Sequence, residues 1–169
     1  RSTFSIGLGA LGATTQRDSS VPDSRFVSWL GQAQYARRLP WADAQLIVRG
    51  DVQLSNDPLL GLEQFALGGR YTVRAYRENV RVRDNGALGP IELRIPVWHA
   101  RDSGAALELA PFVDAGVSWN RRPPERGGKT LASAGIGARL VLGWIAWECY
   151  WAHDLRDIRV ARDGRELQD

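Results

Sequence analysis

Apolar and polar residues alternate with a period of two along several long segments of this chain. Residues 107–119 show the pattern well, because Leu109, Val113 and Val117 fall on one face of an extended strand whereas Glu108 and Asp114 fall on the other. The same alternation recurs at residues 3–12, 25–37, 45–54, 91–98, 131–142 and 145–154. Seven such segments predict an all-β, antiparallel protein in which each strand has one apolar and one hydrated face.

The polar faces of these predicted strands carry full charges. In residues 45–54, for example, Arg49 and Asp51 alternate with Val48 and Val52. An arginine that faces lipid at the middle of a membrane costs ~2–4 kcal/mol, so in a membrane protein both charged residues must point into an aqueous lumen. Long strands with one charged face favour a transmembrane β-barrel over a soluble sandwich or small barrel, although the soluble folds also alternate.

The predicted connections between the strands differ in length. Those near residues 39–42 and 143 are short, whereas residues 14–24, 55–88 and 120–129 form long connections. Alternating short and long connections are typical of bacterial outer-membrane barrels, and Trp and Tyr residues near strand ends suit the membrane interfaces. Since seven strands leave two open edges, we expect further strands to complete the barrel.

Composition excludes several other classes of protein. The longest apolar stretch, residues 131–147, is interrupted by Arg139, so a membrane-spanning helix is not expected. The 22 basic and 19 acidic residues are interspersed, and no basic run with interleaved aromatic residues suggests nucleic-acid binding. The single cysteine, Cys149, excludes an internal disulfide or a multi-cysteine metal site.

The sequence does not indicate an enzyme. His99 and His153 are the only histidines, and neither lies in a cluster with metal-ligand spacing. Nucleophile and phosphate-binding motifs are also absent from the sequence. We therefore predict no catalytic residue, no cofactor and no metal.

The connection at residues 55–88 is too long to be an idle loop, and its many apolar residues indicate that it folds back against the protein. Gly68 and Gly69 allow a tight bend before Arg74. An arginine carried into a barrel needs a carboxylate partner, and Asp114 is the best candidate; otherwise Arg74 is a solvated loop residue. The insert also carries Glu63 and Glu78, which can form salt bridges with Arg70 or Arg77.

Three motifs in this order resemble a known family. The runs PLLGLEQFALGGRYTVRAYRE (residues 58–78), GPIELRIP (89–96) and ELAPFVDAGVSW (108–119) resemble the C-terminal part of two-partner secretion transporters, the outer-membrane pores of the haemolysin secretion and activation type. The resemblance implies that residues 1–169 hold about seven strands, nine to fifteen, of a sixteen-stranded transmembrane barrel with a long inward-folded loop. The N-terminal POTRA domains, the plug helix and the last strand would lie outside this sequence.

The resemblance also implies roles for individual residues. The family's Val-Arg-Gly-(Phe/Tyr) loop motif corresponds here to Val73, Arg74, Ala75 and Tyr76. Its Phe-x-Asp strand motif corresponds to Phe112 and Asp114, and the family implies that the loop arginine pairs with this aspartate on the barrel wall. Ala75 departs from the usual glycine. If that position requires a positive φ, we expect a modified bend or a less stable loop tip.

The resemblance implies a protein-conducting pore in the bacterial outer membrane. Its partners would be membrane lipid and a large secreted exoprotein with an N-terminal secretion domain, and the pore would be monomeric. The alternative is a barrel-assembly factor of the same superfamily, which shares the loop motif but inserts other barrels into the membrane. The run of residues 63–78 favours the secretion branch.

Overall fold

The computed structural model describes residues 1–8, 22, 24–100, 104–121 and 129–156. Most of their regular structure is β-strand, so the all-β prediction is confirmed. Within these ranges no helix has the length and apolar character needed to cross a membrane. The strands are β1 (Ser2–Ile6), β2 (Val27–Arg38), β3 (Gln45–Ser55), β4 (Phe65–Leu67), β5 (Arg81–Arg83), β6 (Asn85–Leu88), β7 (Ile91–His99), β8 (Ala106–Trp119), β9 (Lys129–Leu142) and β10 (Ile145–Asp154).

One antiparallel sheet contains all of these strands except β4 and β5. Its order is β1, β2, β3, then β6 and β7 together, then β8, β9 and β10. Strands β6 and β7 occupy one position, because each of them pairs with β3 on one side and β8 on the other. The described part of the sheet therefore has seven strand positions, as the alternation predicted.

The strand bounds differ from prediction mainly around β6. The predicted insert of residues 55–88 was too long, because residues 85–88 already belong to the main sheet. Gly89 and Pro90 interrupt the alternation there, yet Gly89 N–H donates to the Ala115 carbonyl (2.8 Å) and the Pro90 carbonyl accepts from Arg49 N–H (3.0 Å). The backbone hydrogen bonds of the sheet therefore continue from β6 to β7, although Gly89 and Pro90 interrupt the alternation in the sequence.

At the ends of the sheet, prediction and structure agree within a few residues. Strand β10 has the predicted bounds, whereas β2 begins two residues later and β9 two residues earlier than predicted. Residues 9–12 of the first predicted strand lie outside the described residues, as do most of residues 14–24 and 120–129.

The connections divide between the two ends of the sheet. At one end, short turns at residues 39–44 and 143–144 join β2 to β3 and β9 to β10, and β7 is joined to β8 at the same end. The insert, now residues 56–84, leaves β3 and returns to β6 at the other end. This arrangement matches the predicted alternation of short turns with long loops.

The two faces of the sheet have different environments. Cross-strand pairing places Glu92 opposite Phe112 and Asp114 opposite Ser133 on one side, here called the inner face, which the insert partly covers. On the outer face, large apolar side chains remain exposed, including Trp147 (57%) and Trp151 (67%). A broad exposed apolar surface on a sheet with a polar inner face is typical of strands that contact lipid.

The charged residues of β3 lie on the inner face, as predicted. Arg49 lines a cavity of about 400 Å³ on that face, beneath the insert. Asp51 accepts a hydrogen bond from the Gln32 side chain of β2 (3.2 Å). Both groups are thus kept away from the lipid-facing side.

The insert folds as a small unit on the inner face. Strands β4 and β5 form an antiparallel pair, and beside them a compact apolar core joins the insert to the sheet. The core residues are Phe65, Leu67, Val73, Leu88 and Leu131. Burial of these side chains supplies the apolar driving force that keeps a 29-residue segment (56–84) inside rather than in solvent.

Close approach of the insert to the sheet depends on Gly86 in β6. A Cβ atom at this position would lie 2.1 Å from Cδ1 of the Phe65 ring. Only glycine leaves room for this ring, so Gly86 is the position at which the insert can pack closely against β6.

Candidate functional site in the barrel lumen

A double-glycine bend brings Arg74 to the inner face. Gly68 and Gly69 have φ values of 104° and 103°, in the region where a side chain is disfavoured. Gly68 N–H donates to the Thr72 hydroxyl (2.9 Å), and Gly69 N–H donates to the Val73 carbonyl (3.3 Å). Since Val73 is buried in the core, the next residue, Arg74, points at the wall formed by β7 and β8.

Arg74 and Asp114 form a bidentate ion pair. The guanidinium donates from Nη2 to Oδ1 of Asp114 (2.8 Å) and from Nε to Oδ2 (2.9 Å). The backbone N–H of Arg74 also donates to Oδ2 (3.0 Å). The Asp114 side chain is fully buried and that of Arg74 is 11% exposed, so water contributes little to this contact. The predicted contact between these residues is present in the structure.

A second carboxylate completes the charge balance. Nη1 of Arg74 donates to Glu92 of β7 (2.6 Å), whose other oxygen accepts from Nε of Arg94 (2.8 Å). Two arginines and two carboxylates thus form a neutral cluster. Burial acts to lower the pKa of Arg74, but hydrogen bonds to Asp114 and Glu92 and their negative charges outweigh it, so this pKa is raised and the guanidinium stays charged.

Two further side chains fix the orientation of the pair. The guanidinium carbon of Arg74 lies 3.4 Å from the ring centroid of Phe112, within the range of a cation–π interaction. Ser133 of β9 donates its hydroxyl to Oδ2 of Asp114 (3.2 Å). Arginine is suited to this arrangement because its planar fork can stack on a ring while it binds a carboxylate through two nitrogens.

Tyr76 attaches the same loop to the next strand. Its hydroxyl lies 3.0 Å from the Ala132 carbonyl oxygen of β9 and 2.8 Å from the Arg156 carbonyl oxygen beyond β10. The four loop residues Val73–Tyr76 therefore contact the core, β7, β8 and β9 together.

Ala75 does not cause the strain considered from the sequence. The non-glycine residues with positive φ in the described part of the chain are Ala42, Asp43 and Asn79, so Ala75 has an ordinary backbone conformation. It lies within the turn that Tyr76 N–H closes by donating to the Val73 carbonyl (3.4 Å). A residue with a Cβ atom is accommodated at this position without a left-handed bend.

The Arg70 side chain forms its salt bridge outside the insert, with neither of the two acidic residues considered from the sequence. Glu78 accepts a hydrogen bond from the backbone N–H of Arg70 (2.9 Å), whereas the Arg70 guanidinium pairs with Glu148 of β10 (2.8 Å). The bend at Gly69 explains this outcome, because it directs the Arg70 backbone at Glu78 and its side chain away from the insert.

Sequence reasoning missed Asp84, which secures the base of the insert. This buried carboxylate accepts backbone hydrogen bonds from Leu59 (2.9 Å) and Arg121 (2.8 Å), and a side-chain bond from Gln64 (3.1 Å). It also missed the roles of Glu92 and Ser133, although both were visible on the polar faces of predicted strands. Their contacts with Arg74 and Asp114 depend on strand register, which alternation alone does not determine.

Comparison with known proteins identifies the family. Residues 1–140 match the family described as haemolysin secretion/activation protein ShlB/FhaC/HecB. The chain belongs to this family. The outer membrane transporter CdiB of Dickeya dadantii (strain 3937) is 29% identical over 148 residues, which are 85% of this chain and 26% of that protein.

A solved structure shares the fold. CdiB from Escherichia coli matches with a TM-score of 0.81 over 92% of this chain and 29% of that chain, at 21% sequence identity. The chain thus spans between a quarter and a third of the length of these relatives. Family and fold together identify the sheet as part of an outer-membrane β-barrel of the two-partner secretion type, and they do not favour the assembly-factor alternative.

Proposed function

We propose that this chain forms the part of a secretion pore in which a lumenal loop is held against the barrel wall while a large partner exoprotein crosses the outer membrane. The observation that carries the proposal is the buried bidentate contact between Arg74 on the loop and Asp114 on β8. The name of the Dickeya relative, an outer membrane transporter, agrees with this function.

A buried ion pair such as Arg74–Asp114 is better suited to fixing the position of the loop than to raising the overall stability of the protein. Replacing such a pair by apolar side chains is often neutral or stabilising, so the pair is weak evidence for a role in overall stability. Its geometry, by contrast, selects one position of the loop, because the fork of Arg74 matches Asp114 and Glu92 in one orientation only. The proposed mechanism contains binding and passage of a polypeptide and no catalytic step.

The inner face offers the passing chain a polar surface. Around the cavity beneath the insert lie charged groups of both signs, among them Arg49, Arg94 and Glu108. An extended polypeptide can exchange hydrogen bonds with such a surface without adhering to an apolar wall. We propose that this surface is the described portion of the conduit.

The larger architecture follows from family membership as a prediction. The complete transporter would contain sixteen strands, two POTRA domains and a plug helix, would act as a monomer, and would accept a partner with an N-terminal secretion domain. The relatives' greater length is consistent with these additional parts.

The test is a secretion assay with the full-length transporter and its partner in bacterial cells. Asp114→Asn removes the negative charge while retaining the side-chain shape, and we expect secretion to fall by roughly tenfold or more because Arg74 loses its main buried partner. Asp51→Asn is the matched control, since Asp51 is on the inner face but contacts Gln32 rather than the loop.

Outer-membrane levels of each variant are measured beside secretion. Normal secretion by an Asp114→Asn variant that assembles in wild-type amounts would contradict the proposed role of the pair. Equal loss in the Asp51→Asn control would also contradict it, because the effect would then belong to the inner face in general.

A further inference from the structure

The loop reaches a second wall of the barrel through Arg70. Its Nη2 atom lies 2.8 Å from Oε2 of Glu148 on β10, 78 residues further along the chain. The Arg70 guanidinium also lies 5.8 Å from the ring centroids of Tyr71 and Tyr150. This contact is independent of the Arg74 cluster, which involves β7 and β8.

Glu148 belongs to a row of charges that crosses three strands. Strand register places Arg139 of β9 directly opposite Glu108 of β8 and directly opposite Glu148 of β10. Arg139 lies 3.6 Å from each of these carboxylates. The row contains two negative charges and one positive charge. Arg70 on the loop adds a second positive charge, so the group of four is neutral.

The exposure of the Arg70 contact differs from that of the Arg74 cluster. The side chains of Arg70 and Glu148 are 45% and 46% exposed. Ion pairs with this exposure are weak and are screened by salt, so they separate and form again readily. The Arg70 contact therefore suits a reversible attachment of the loop rather than a permanent one.

The contact between Arg70 and Glu148 lies beside the open space of the lumen. Arg70, Arg74 and Glu148 all line the cavity of about 400 Å³, together with Arg94 and Tyr150. With Arg74 held by β8 and Arg70 held by β10, the loop tip extends over β9 between them. Release of Arg70 alone would free the tip from Glu148, while Arg74 would keep it attached to β8 and Tyr76 would keep its contacts with the Ala132 and Arg156 carbonyls.

We propose that Arg70 and Glu148 form a releasable latch that holds the loop tip against β10 and narrows the passage along β9 and β10. Arg70 is a positioning residue that acts through the loop. The inference rests on the proposed pore function, since it assigns the latch a part in closing that pore.

The test is single-channel recording of the full-length transporter in planar lipid bilayers without partner protein. We expect Arg70→Ala to increase the frequency of openings by roughly two- to fivefold, the range that the loss of an exposed ion pair allows. Arg70→Lys retains the charge and should open nearly as rarely as the wild type. Arg77→Ala is the matched control, because Arg77 is an exposed arginine of the same loop.

A double variant separates the latch from a general loosening of the loop. If Arg70 acts through Glu148, the effects of R70A and E148A should not add: E148A should raise the opening frequency much less in the R70A background than in the wild type, because the Arg70–Glu148 pair is already broken there. Heat-dependent migration in gels and outer-membrane levels verify that each variant folds.

Three results would overturn the latch: a wild-type opening frequency in folded R70A, an equal increase in R77A, or additive effects in the double variant. These results are distinct from failure of the proposed function. That function fails if Asp114→Asn secretes normally, which is measured with partner protein and does not involve Arg70.

Discussion

Two arginines of one loop, Arg70 and Arg74, contact the inner face in different ways. Arg74 lies in a buried, neutral cluster with bidentate geometry and a backbone hydrogen bond to the same aspartate. Arg70 makes a single short contact with Glu148 in a region open to water. Exposed ion pairs are weak, whereas a buried bidentate pair holds one geometry, so we propose that the Arg74 contact rather than the Arg70 contact fixes the loop.

The first prediction compares the acidic partners of the two arginines. Asp114→Ala leaves Arg74 with Glu92 alone in a buried site, and we expect the docked loop to lose about 3 kcal/mol, or roughly 100-fold in hydrogen-exchange protection of residues 73–76. Glu148→Ala removes only an exposed partner and should change protection by less than about fivefold.

The double variant R74A/D114A sharpens this comparison. It removes both charges, so it should be less destabilising than D114A alone in the same exchange measurement. Equal protection in D114A and E148A would show that the two contacts are equivalent and would refute the distinction between them.

The second prediction concerns the packing of the insert against Gly86 of β6 rather than its ion pairs. Gly86→Ala places a methyl group where the Phe65 ring now lies, and overpacking of this kind costs about 1–3 kcal/mol. We expect lower exchange protection in residues 65–67 and reduced secretion. Gly50→Ala is the control, because a Cβ atom there meets nothing within 4 Å; similar effects of both substitutions would contradict the packing argument.

The third and smallest prediction concerns Ala75. Because its backbone has no positive φ, Ala75→Gly brings no relief of strain and adds freedom to the unfolded loop. We expect a loss of about 0.4–1 kcal/mol in loop stability, measured by hydrogen exchange. A clear gain in stability or in secretion would show that the position favours glycine after all.

Much of the sheet could be predicted from the sequence, because apolar and polar residues must alternate along a strand that has one lipid-facing and one hydrated side. Arg49 and Asp51 illustrate this, since their two-residue spacing and their charge suffice to assign both to the inner face. Strand β6 could not be predicted, because Gly89 and Pro90 interrupt the pattern and the pairing that restores the ladder comes from distant strands.

The candidate site was predicted in part. The charge requirement made Asp114 the best candidate partner of Arg74, and the family resemblance, with its loop motif, favoured this pairing over a solvated loop arginine. Glu92, Ser133 and the Glu148 contact of Arg70 depend on register and on the direction of the double-glycine bend. Neither property is visible in local residue patterns.

We propose that the contact of Arg74 with Asp114 fixes the loop inside the barrel. Its most direct test is a pulsed electron paramagnetic resonance distance between spin labels on Arg77→Cys in the loop and on Cys149, which is free and exposed, in full-length protein without other cysteines. If this proposal is right, one narrow distance distribution is expected, which broadens and shifts when Asp114→Asn is introduced. An unchanged narrow distribution in the Asp114→Asn variant would contradict it.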